Sequence, residues 1–163
     1  MSLQPKLDAF KAGAPFVEPR LVVNLSGSRF VVLATALETN GTYSAFEISV
    51  PPGAGTPLHA HSEQEAVFYV LREYLQFQVA EGTEEQGSGG VAHVARNVPH
   101  FFVNMRTEEA AVIVIARPGG IENFFLEVGT KIGPTDAPIA PRQEDFEKIF
   151  HSAPAYGITF FLD

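Results

Sequence analysis

The sequence predicts an all-β protein made of short antiparallel strands, and three observations support this prediction. From about residue 20 onward, short apolar runs rich in Val, Ile, Phe and Tyr recur along the chain. Segments rich in Gly, Pro, Asn and Ser separate these runs. Helical spacing of apolar residues appears only close to the C-terminus. Short strands at such intervals are typical of an antiparallel sandwich or barrel.

Seven segments have the composition of strands and follow one another without an internal repeat, which predicts one barrel and not two. The predicted strands cover residues 21–25, 30–36, 44–50, 66–71, 75–80, 91–95 and 110–116. Between the fifth and the sixth, residues 81–90 are polar and Gly-rich, so we expect an exposed hairpin tip there.

The C-terminal part of the chain departs from this strand pattern. Residues 134–141 are rich in proline and predict an extended arm. Residues 142–152 place Phe146 and Ile149 at helical spacing, with acidic residues early, and predict a short amphipathic helix packed on the barrel. Residues 156–162 are too apolar for a free tail, so we expect them to dock on the barrel or on a partner subunit.

Length, charge and composition exclude several classes of function. A chain of 163 residues suits a single domain. Its net charge of −8 argues against binding to nucleic-acid phosphates or to an anionic membrane surface. No cysteine is present, which excludes disulfides, thiolate metal sites and iron–sulfur clusters. Without an apolar signal segment or a membrane-length apolar run, we expect a cytoplasmic protein whose partner is a small molecule.

Histidines supply the strongest functional signal. His59 and His61 lie at positions i and i+2, so on a strand both imidazoles point to the same face. A strand pairing back from His100 would add a third imidazole, and three neutral imidazoles form a mononuclear metal site with open positions. The alternative is a degenerate site that binds nothing. His93 and His151 are expected to be structural or exposed.

The spacing of these residues resembles the two motifs of the cupin superfamily. Gly53 precedes the histidine pair by five residues, as in the first motif, and His100 is followed by Asn104, as in the second. Residues 117–125 and 156–158 resemble the small single-domain cupins described as quercetin-dioxygenase-like. The resemblance implies an antiparallel jelly-roll (double-stranded β-helix) barrel over about residues 20–117. An arm and a short helix over about 118–163 would complete one domain, residues 1–163.

Three positions depart from the family pattern. Counting back from Phe68 puts the family's glutamate ligand at Ala66. The shorter permitted spacing from the histidine pair puts it at Glu65 instead, and this placement needs a β-bulge to absorb one extra residue. Strand alternation also turns Ala66 inward, so we expect the carboxylate to be absent or displaced, with Glu65 as the alternative fourth ligand. The glycine that closes the first motif is replaced within residues 72–74. Asn97 replaces a glycine of the second motif, a mild change because Asn tolerates left-handed backbone.

The resemblance implies one divalent transition metal, Fe, Mn, Ni, Co, Zn or Cu, held by the three histidines. Such a site would serve an oxygenase acting on a small aromatic or enolisable substrate. The alternatives are a non-catalytic barrel that binds a small molecule and a non-redox isomerase or lyase. The apolar residues 21–23 and 160–162 are the candidate interface of a homodimer.

Overall fold

The computed structural model describes residues 20–162, which form twelve strands and two α-helices. The strands are β1 Val22–Leu25, β2 Ser28–Ala34, β3 Ser44–Val50, β4 His59–His61, β5 Glu65–Arg72, β6 Leu75–Val79, β7 Gly82–Gln86, β8 Val91–Val94, β9 His100–Val103, β10 Ala110–Arg117, β11 Thr130–Lys131 and β12 Ile158–Phe160. The helices are α1 Glu122–Val128 and α2 Gln143–Ser152, and the 3-10 helix Ala153–Tyr156 follows α2.

Two antiparallel sheets form the body of the molecule. One sheet has the strand order β11-β1-β2-β3-β10-β5-β8, and the other has the order β12-β4-β9-β6-β7. Their facing sides enclose a core in which Val50, Val70, Leu75 and Val112 are completely buried. Burying each such side chain contributes about 1.5–3 kcal/mol. This arrangement confirms the predicted all-β jelly roll with a short C-terminal helix.

The polar segment after β6 differs from its prediction. Residues 81–90 were expected to be a hairpin tip, but they contain strand β7, which pairs with β6 along its whole length. The turn is tighter than expected and passes through Ala80, whose φ is 54°. Most of β7 is exposed because it is an edge strand, so its sequence lacks the alternation of apolar and polar residues that marks a strand.

The C-terminal segment contains one element that the sequence pattern did not predict. Helix α1 has seven residues and no side-chain cap at its N-terminus, so neither its length nor a capping signal reveals it. Helix α2 agrees with its prediction. Its first turn is closed by the carboxylate of Asp145, which accepts the backbone N–H of Arg142 at 2.7 Å.

The proline-rich arm lies along the first sheet. The side-chain amide of Asn24 donates to the carbonyl of Ile139 at 3.1 Å, and its oxygen accepts the N–H of the same residue at 2.8 Å. A second contact joins the guanidinium of Arg29 to the carbonyl of Pro134. These bonds hold the arm in place without regular secondary structure.

The two apolar ends proposed as a dimer interface have different environments. Val22 and Val23 are buried in the chain's own core. Strand β12 pairs with β4, so the tail docks on its own barrel, while Phe161 and Leu162 beyond it are exposed. Only this second end therefore remains available to a partner. Within residues 20–162, neither helix has the length and apolar character needed to cross a bilayer.

Candidate metal centre

Two neighbouring strands bring the three predicted histidines together. His59 and His61 lie on β4, and His100 lies on β9 directly opposite His59. The ring centroid of His59 is 5.0 Å from that of His61 and 4.3 Å from that of His100. One nitrogen from each ring lies within 4.8 Å of the others. A single ion can therefore contact all three rings.

Backbone carbonyls orient two of the rings. Nδ1 of His59 lies 2.8 Å from the carbonyl oxygen of Pro57, and Nδ1 of His100 lies 2.9 Å from that of Val98. A carbonyl oxygen can only accept, so each Nδ1 carries the hydrogen and each Nε2 keeps its lone pair. Both contacts reach back two residues, which gives the two histidines the same local geometry.

Burial keeps the imidazoles uncharged at neutral pH. Desolvation, with the neighbouring rings of His100 and His61, places the pKa of His59 well below 6.5. Desolvation and His100 lower the pKa of His61 to about 4, although the side chain of Gln64 opposes the shift. Desolvation also lowers the pKa of His100, against the effect of its bond to Val98. Since only neutral imidazole binds a metal, the rings are ready to ligate.

The chemistry of the donor set tests whether a metal fits, and two buried polar atoms beside it are unpaired. The Nδ1 of His61 is buried and has no hydrogen-bond partner that meets standard geometry, and the same holds for Oε1 of Gln64. Buried polar atoms are normally paired, and exceptions mark functional sites. Three neutral nitrogen donors that converge in a buried place match the ligand preference of Zn²⁺, Ni²⁺, Cu²⁺, Co²⁺ and Fe²⁺. The residues present therefore fit a divalent transition metal.

Glu65 lies outside the histidine cluster. It is opposite Arg117 in the pairing of β5 with β10, and the two side chains form an ion pair 2.5 Å long. Both side chains are substantially exposed, at 43% and 66%. Its neighbour Ala66 instead lines the cavity that contains the histidines. The inward position of β5 thus carries a methyl group where the family resemblance calls for a carboxylate.

Gln64 is the site residue that the sequence analysis missed. Its side chain is 9% exposed and lines the same cavity as the histidines and Ala66. Positions 64 and 66 are two apart, so the alternation that turned Ala66 inward also applied to Gln64. Gln64 was not predicted because the family motif calls for a carboxylate and not for an amide.

Turns with left-handed residues support both motifs. Asn97 has φ 66°, as expected for a residue that replaces glycine, and its N–H donates to the carbonyl of His61 at 2.7 Å. This bond ties the loop before β9 to strand β4. At the replaced glycine of the first motif, Glu73 adopts φ 60°, so the turn is kept at a cost in backbone strain. Asn104 is completely buried and binds the carbonyl of Val50 at 2.9 Å.

An apolar cavity of about 120 Å³ contains the histidine cluster. Its wall comes partly from the sheets and partly from the C-terminal segment, which contributes Ile121, Phe124, Phe125, Phe146, Ile149, Ile158 and Phe160. The ring of Phe160 lies 5.7 Å from that of His59. Of the polar side chains on the wall, Ser28 also has a buried hydroxyl without a partner.

The other two histidines lie away from this cavity. His93 on β8 and His151 near the end of α2 are both exposed. Neither belongs to the cluster formed by His59, His61 and His100.

Comparison with known proteins gives a family match over part of the chain and a shared fold. Residues 46–116 match the family model described as the Cupin domain. An RmlC-like cupin from Shewanella frigidimarina superposes with a TM-score of 0.57 at 21% identity, covering 66% of this chain and 92% of that one.

Two further solved structures have the same fold. KdgF from Halomonas sp. superposes with a TM-score of 0.54 at 15% identity, covering 60% of this chain and 84% of that one. A predicted oxalate decarboxylase from Thermotoga maritima superposes with a TM-score of 0.52 at 17% identity, covering 61% of this chain and 91% of that one. No curated protein matches the sequence.

Proposed function

We propose that this chain is a cupin that binds one divalent transition metal and acts through it on a small, largely apolar molecule that carries one metal-binding oxygen group. The observation that carries the proposal is the convergence of three buried or partly buried imidazoles, with one nitrogen each of His59, His61 and His100 within 4.8 Å of the others. Fe, Mn, Ni, Co, Zn and Cu all accept such a donor set.

The charge of the site determines which ligand group it prefers. A divalent metal, when bound, supplies Lewis-acid chemistry and open coordination positions. The three histidines are neutral, so they cancel none of its charge, and the described lining of the cavity contains no aspartate or glutamate. An anionic oxygen, such as an enolate or a carboxylate, is therefore the group that this site favours.

The same lack of a carboxylate limits the chemistry. Glu65, the alternative fourth ligand, is paired with Arg117 away from the histidines. In the described part of the cavity wall no carboxylate is placed to remove a proton from the substrate. The substrate therefore arrives already ionised, or ionises as it binds the metal. What the chain contributes is orientation by three fixed imidazoles and exclusion of water by the surrounding phenylalanines.

The cavity volume restricts the size of the substrate. An apolar protein cavity of roughly 150 Å³ holds one benzene molecule. The cavity here, about 120 Å³, is comparable to that volume. A three-ring flavonol exceeds it unless the C-terminal wall moves. We therefore favour a single-ring or short enolisable substrate within the oxygenase hypothesis, and the buried hydroxyl of Ser28 offers it one hydrogen bond.

A second candidate function is non-catalytic binding of such a small molecule, with the metal as a clamp. The absence of a proton-accepting carboxylate from the described cavity lining favours it. A non-redox isomerase or lyase is a variant of the first hypothesis, in which the metal polarises the substrate without oxygen.

An experiment with metal-loaded protein separates these possibilities. Apo protein is loaded in turn with Fe²⁺, Mn²⁺, Co²⁺, Ni²⁺, Cu²⁺ and Zn²⁺, and a small 1,3-diketone and a flavonol are added under oxygen. Oxygen consumption with the diketone supports the oxygenase, and a shifted metal spectrum without product supports the clamp. If no metal binds at one equivalent per chain, the proposed function is wrong.

For assembly, we propose that the partner is a second copy of this chain. We propose neither nucleic acid nor a membrane as partner, because the chain carries a net charge of −8. The exposed Phe161 and Leu162 support a homodimer contact at the C-terminal end. Light scattering tests this directly, since a mass of 17.7 kDa at micromolar concentration would contradict it.

A further inference from the structure

The three histidines of the cluster are not anchored alike. His59 and His100 each hold a hydrogen on Nδ1 because a backbone carbonyl accepts it, from Pro57 and Val98 respectively. No carbonyl takes this role for His61, whose Nδ1 is buried and unpaired. A ring without such a partner is free to exchange its hydrogen between Nδ1 and Nε2, and the second tautomer cannot present Nε2 to a metal.

A suitable acceptor lies beside this ring. Gln64 is 9% exposed, and its Oε1 is likewise buried and unpaired. Its side chain is close enough to His61 to stabilise the protonated imidazole. A buried donor and a buried acceptor that lie close together and are both unpaired lose free energy unless they bond to one another.

We infer that Gln64 is a positioning residue whose side-chain carbonyl accepts the Nδ1–H of His61 and so directs Nε2 of that ring toward His59 and His100. The inference rests on the proposed metal-binding function for its purpose, although the tautomer itself exists in the apo protein. All three rings would then share one arrangement, with Nδ1–H bound to a carbonyl oxygen and Nε2 free. Such partners of ligating histidines typically change metal affinity by 10–100-fold.

Gln64 has two other conceivable roles, which the test must exclude. If its oxygen ligated the metal directly, the tautomer of His61 would not depend on it. If it served packing alone, an apolar side chain of equal size would replace it without effect. Positioning is favoured because the unpaired Nδ1 of His61 needs an acceptor, and each of the other two rings already has one.

Long-range ¹H–¹⁵N spectra of the apo protein report the tautomer of each histidine. The spectra are recorded at pH 7.5 for wild type, Gln64→Leu and Gln64→Glu, and the His61 signals are identified by their loss in His61→Ala. Gln143→Leu, at an exposed position on α2, is the matched control. Thermal unfolding confirms that each variant is folded, and Zn²⁺ affinity is measured by competition with a chromophoric chelator.

We expect wild type and Gln143→Leu to show His61 with hydrogen on Nδ1. Gln64→Leu should mix the two tautomers at His61 alone and weaken Zn²⁺ binding about 10–100-fold. Gln64→Glu should restore both properties, because a carboxylate accepts the same hydrogen. An unchanged tautomer in Gln64→Leu overturns the inference, whether or not Zn²⁺ affinity falls. If Gln64→Leu changes the tautomer of His61 but the wild-type protein binds no metal, the positioning role of Gln64 stands and the proposed function is wrong.

Discussion

Two groups of buried polar residues in this molecule differ in how completely they are hydrogen-bonded. Glu122, at the start of α1, is 4% exposed and accepts the N–H of Ala36 at 2.7 Å, the N–H of Gly120 at 3.1 Å and the hydroxyl of Ser44. Every oxygen of this carboxylate is used. In the histidine cluster, by contrast, Nδ1 of His61 lacks a partner, and so does Oε1 of the neighbouring Gln64.

The difference separates structural from functional burial. A saturated buried network stabilises one conformation and has no capacity left for a ligand. An unsaturated cluster costs stability, and its unpaired atoms call for an explanation in terms of function. Glu122 therefore anchors the C-terminal segment to the barrel, whereas the histidine cluster keeps hydrogen-bonding and ligating capacity unused.

Removing a ligand from the unsaturated cluster should have the largest effect. His100→Ala leaves two of three nitrogen donors, so we expect metal affinity to fall at least about 1,000-fold, which corresponds to about 4 kcal/mol. Folding should be retained, because the change also removes a buried polar group. Metal content by mass spectrometry measures the loss. His93→Ala, which removes an exposed histidine outside the cluster, is the control and should retain wild-type content.

Removing the acceptor from the saturated network should have the opposite profile. Glu122→Ala leaves the N–H of Ala36 and the hydroxyl of Ser44 without their acceptor, while the N–H of Gly120 keeps the Ser44 oxygen, so we expect the free energy of unfolding to drop by about 3 kcal/mol. Denaturant titration measures this loss. Metal affinity should change less than threefold in the fraction that is folded. If Glu122→Ala instead loses metal at unchanged stability, the distinction between the two groups is wrong.

Acid should destabilise the histidine cluster selectively. Burial and His100 lower the pKa of His61 to about 4 in the folded protein, from 6.5 in the unfolded chain. Below pH 6.5 His61 is therefore protonated in the unfolded chain but stays neutral in the folded chain. The free energy of unfolding consequently falls as the pH falls toward 4. His61 alone should cost the apo protein about 2 kcal/mol at pH 5 relative to pH 8. Denaturation at several pH values tests this, and His61→Gln should reduce the pH dependence by this amount while the shares of His59 and His100 remain.

The smallest predicted effect concerns the missing carboxylate. Ala66 lines the cavity and Glu65 does not, so Ala66→Glu should raise metal affinity about tenfold, or about 1.4 kcal/mol. Glu65→Ala should leave affinity within about twofold, because that side chain is paired with Arg117. Chelator competition measures both variants. The reverse ranking would mean that Glu65 turns inward when metal is present.

The sequence predicted most of the barrel and the three histidines, because both follow from local periodicity. Strand alternation places His59 and His61 on one face, and the pairing of β4 with β9 then needs only His100 at the start of its strand. The same alternation correctly turned Ala66 toward the cavity. These features depend on positions two residues apart, which a single strand determines.

Features that depend on distant parts of the chain were not predictable in this way. Strand β7 is polar on both faces, because its position at the sheet edge and not its sequence makes it a strand. Helix α1 is stabilised because Phe124 and Val128 pack into the core, and no local sequence pattern predicts this packing. Gln64 was not predicted because its proposed role depends on the unpaired Nδ1 of His61, which only the three-dimensional structure reveals.

Four of the eight phenylalanines that line the cavity belong to the segment after β10, whereas the histidines lie within residues 46–116 that match the family model. This half of the aromatic wall and the histidine cluster thus come from separate stretches of the chain. Phe146 and Phe160 can therefore change during evolution, or in a designed chimera, without altering the ligands. A library restricted to residues 118–162 would vary this part of the cavity wall while His59, His61 and His100 stay unchanged.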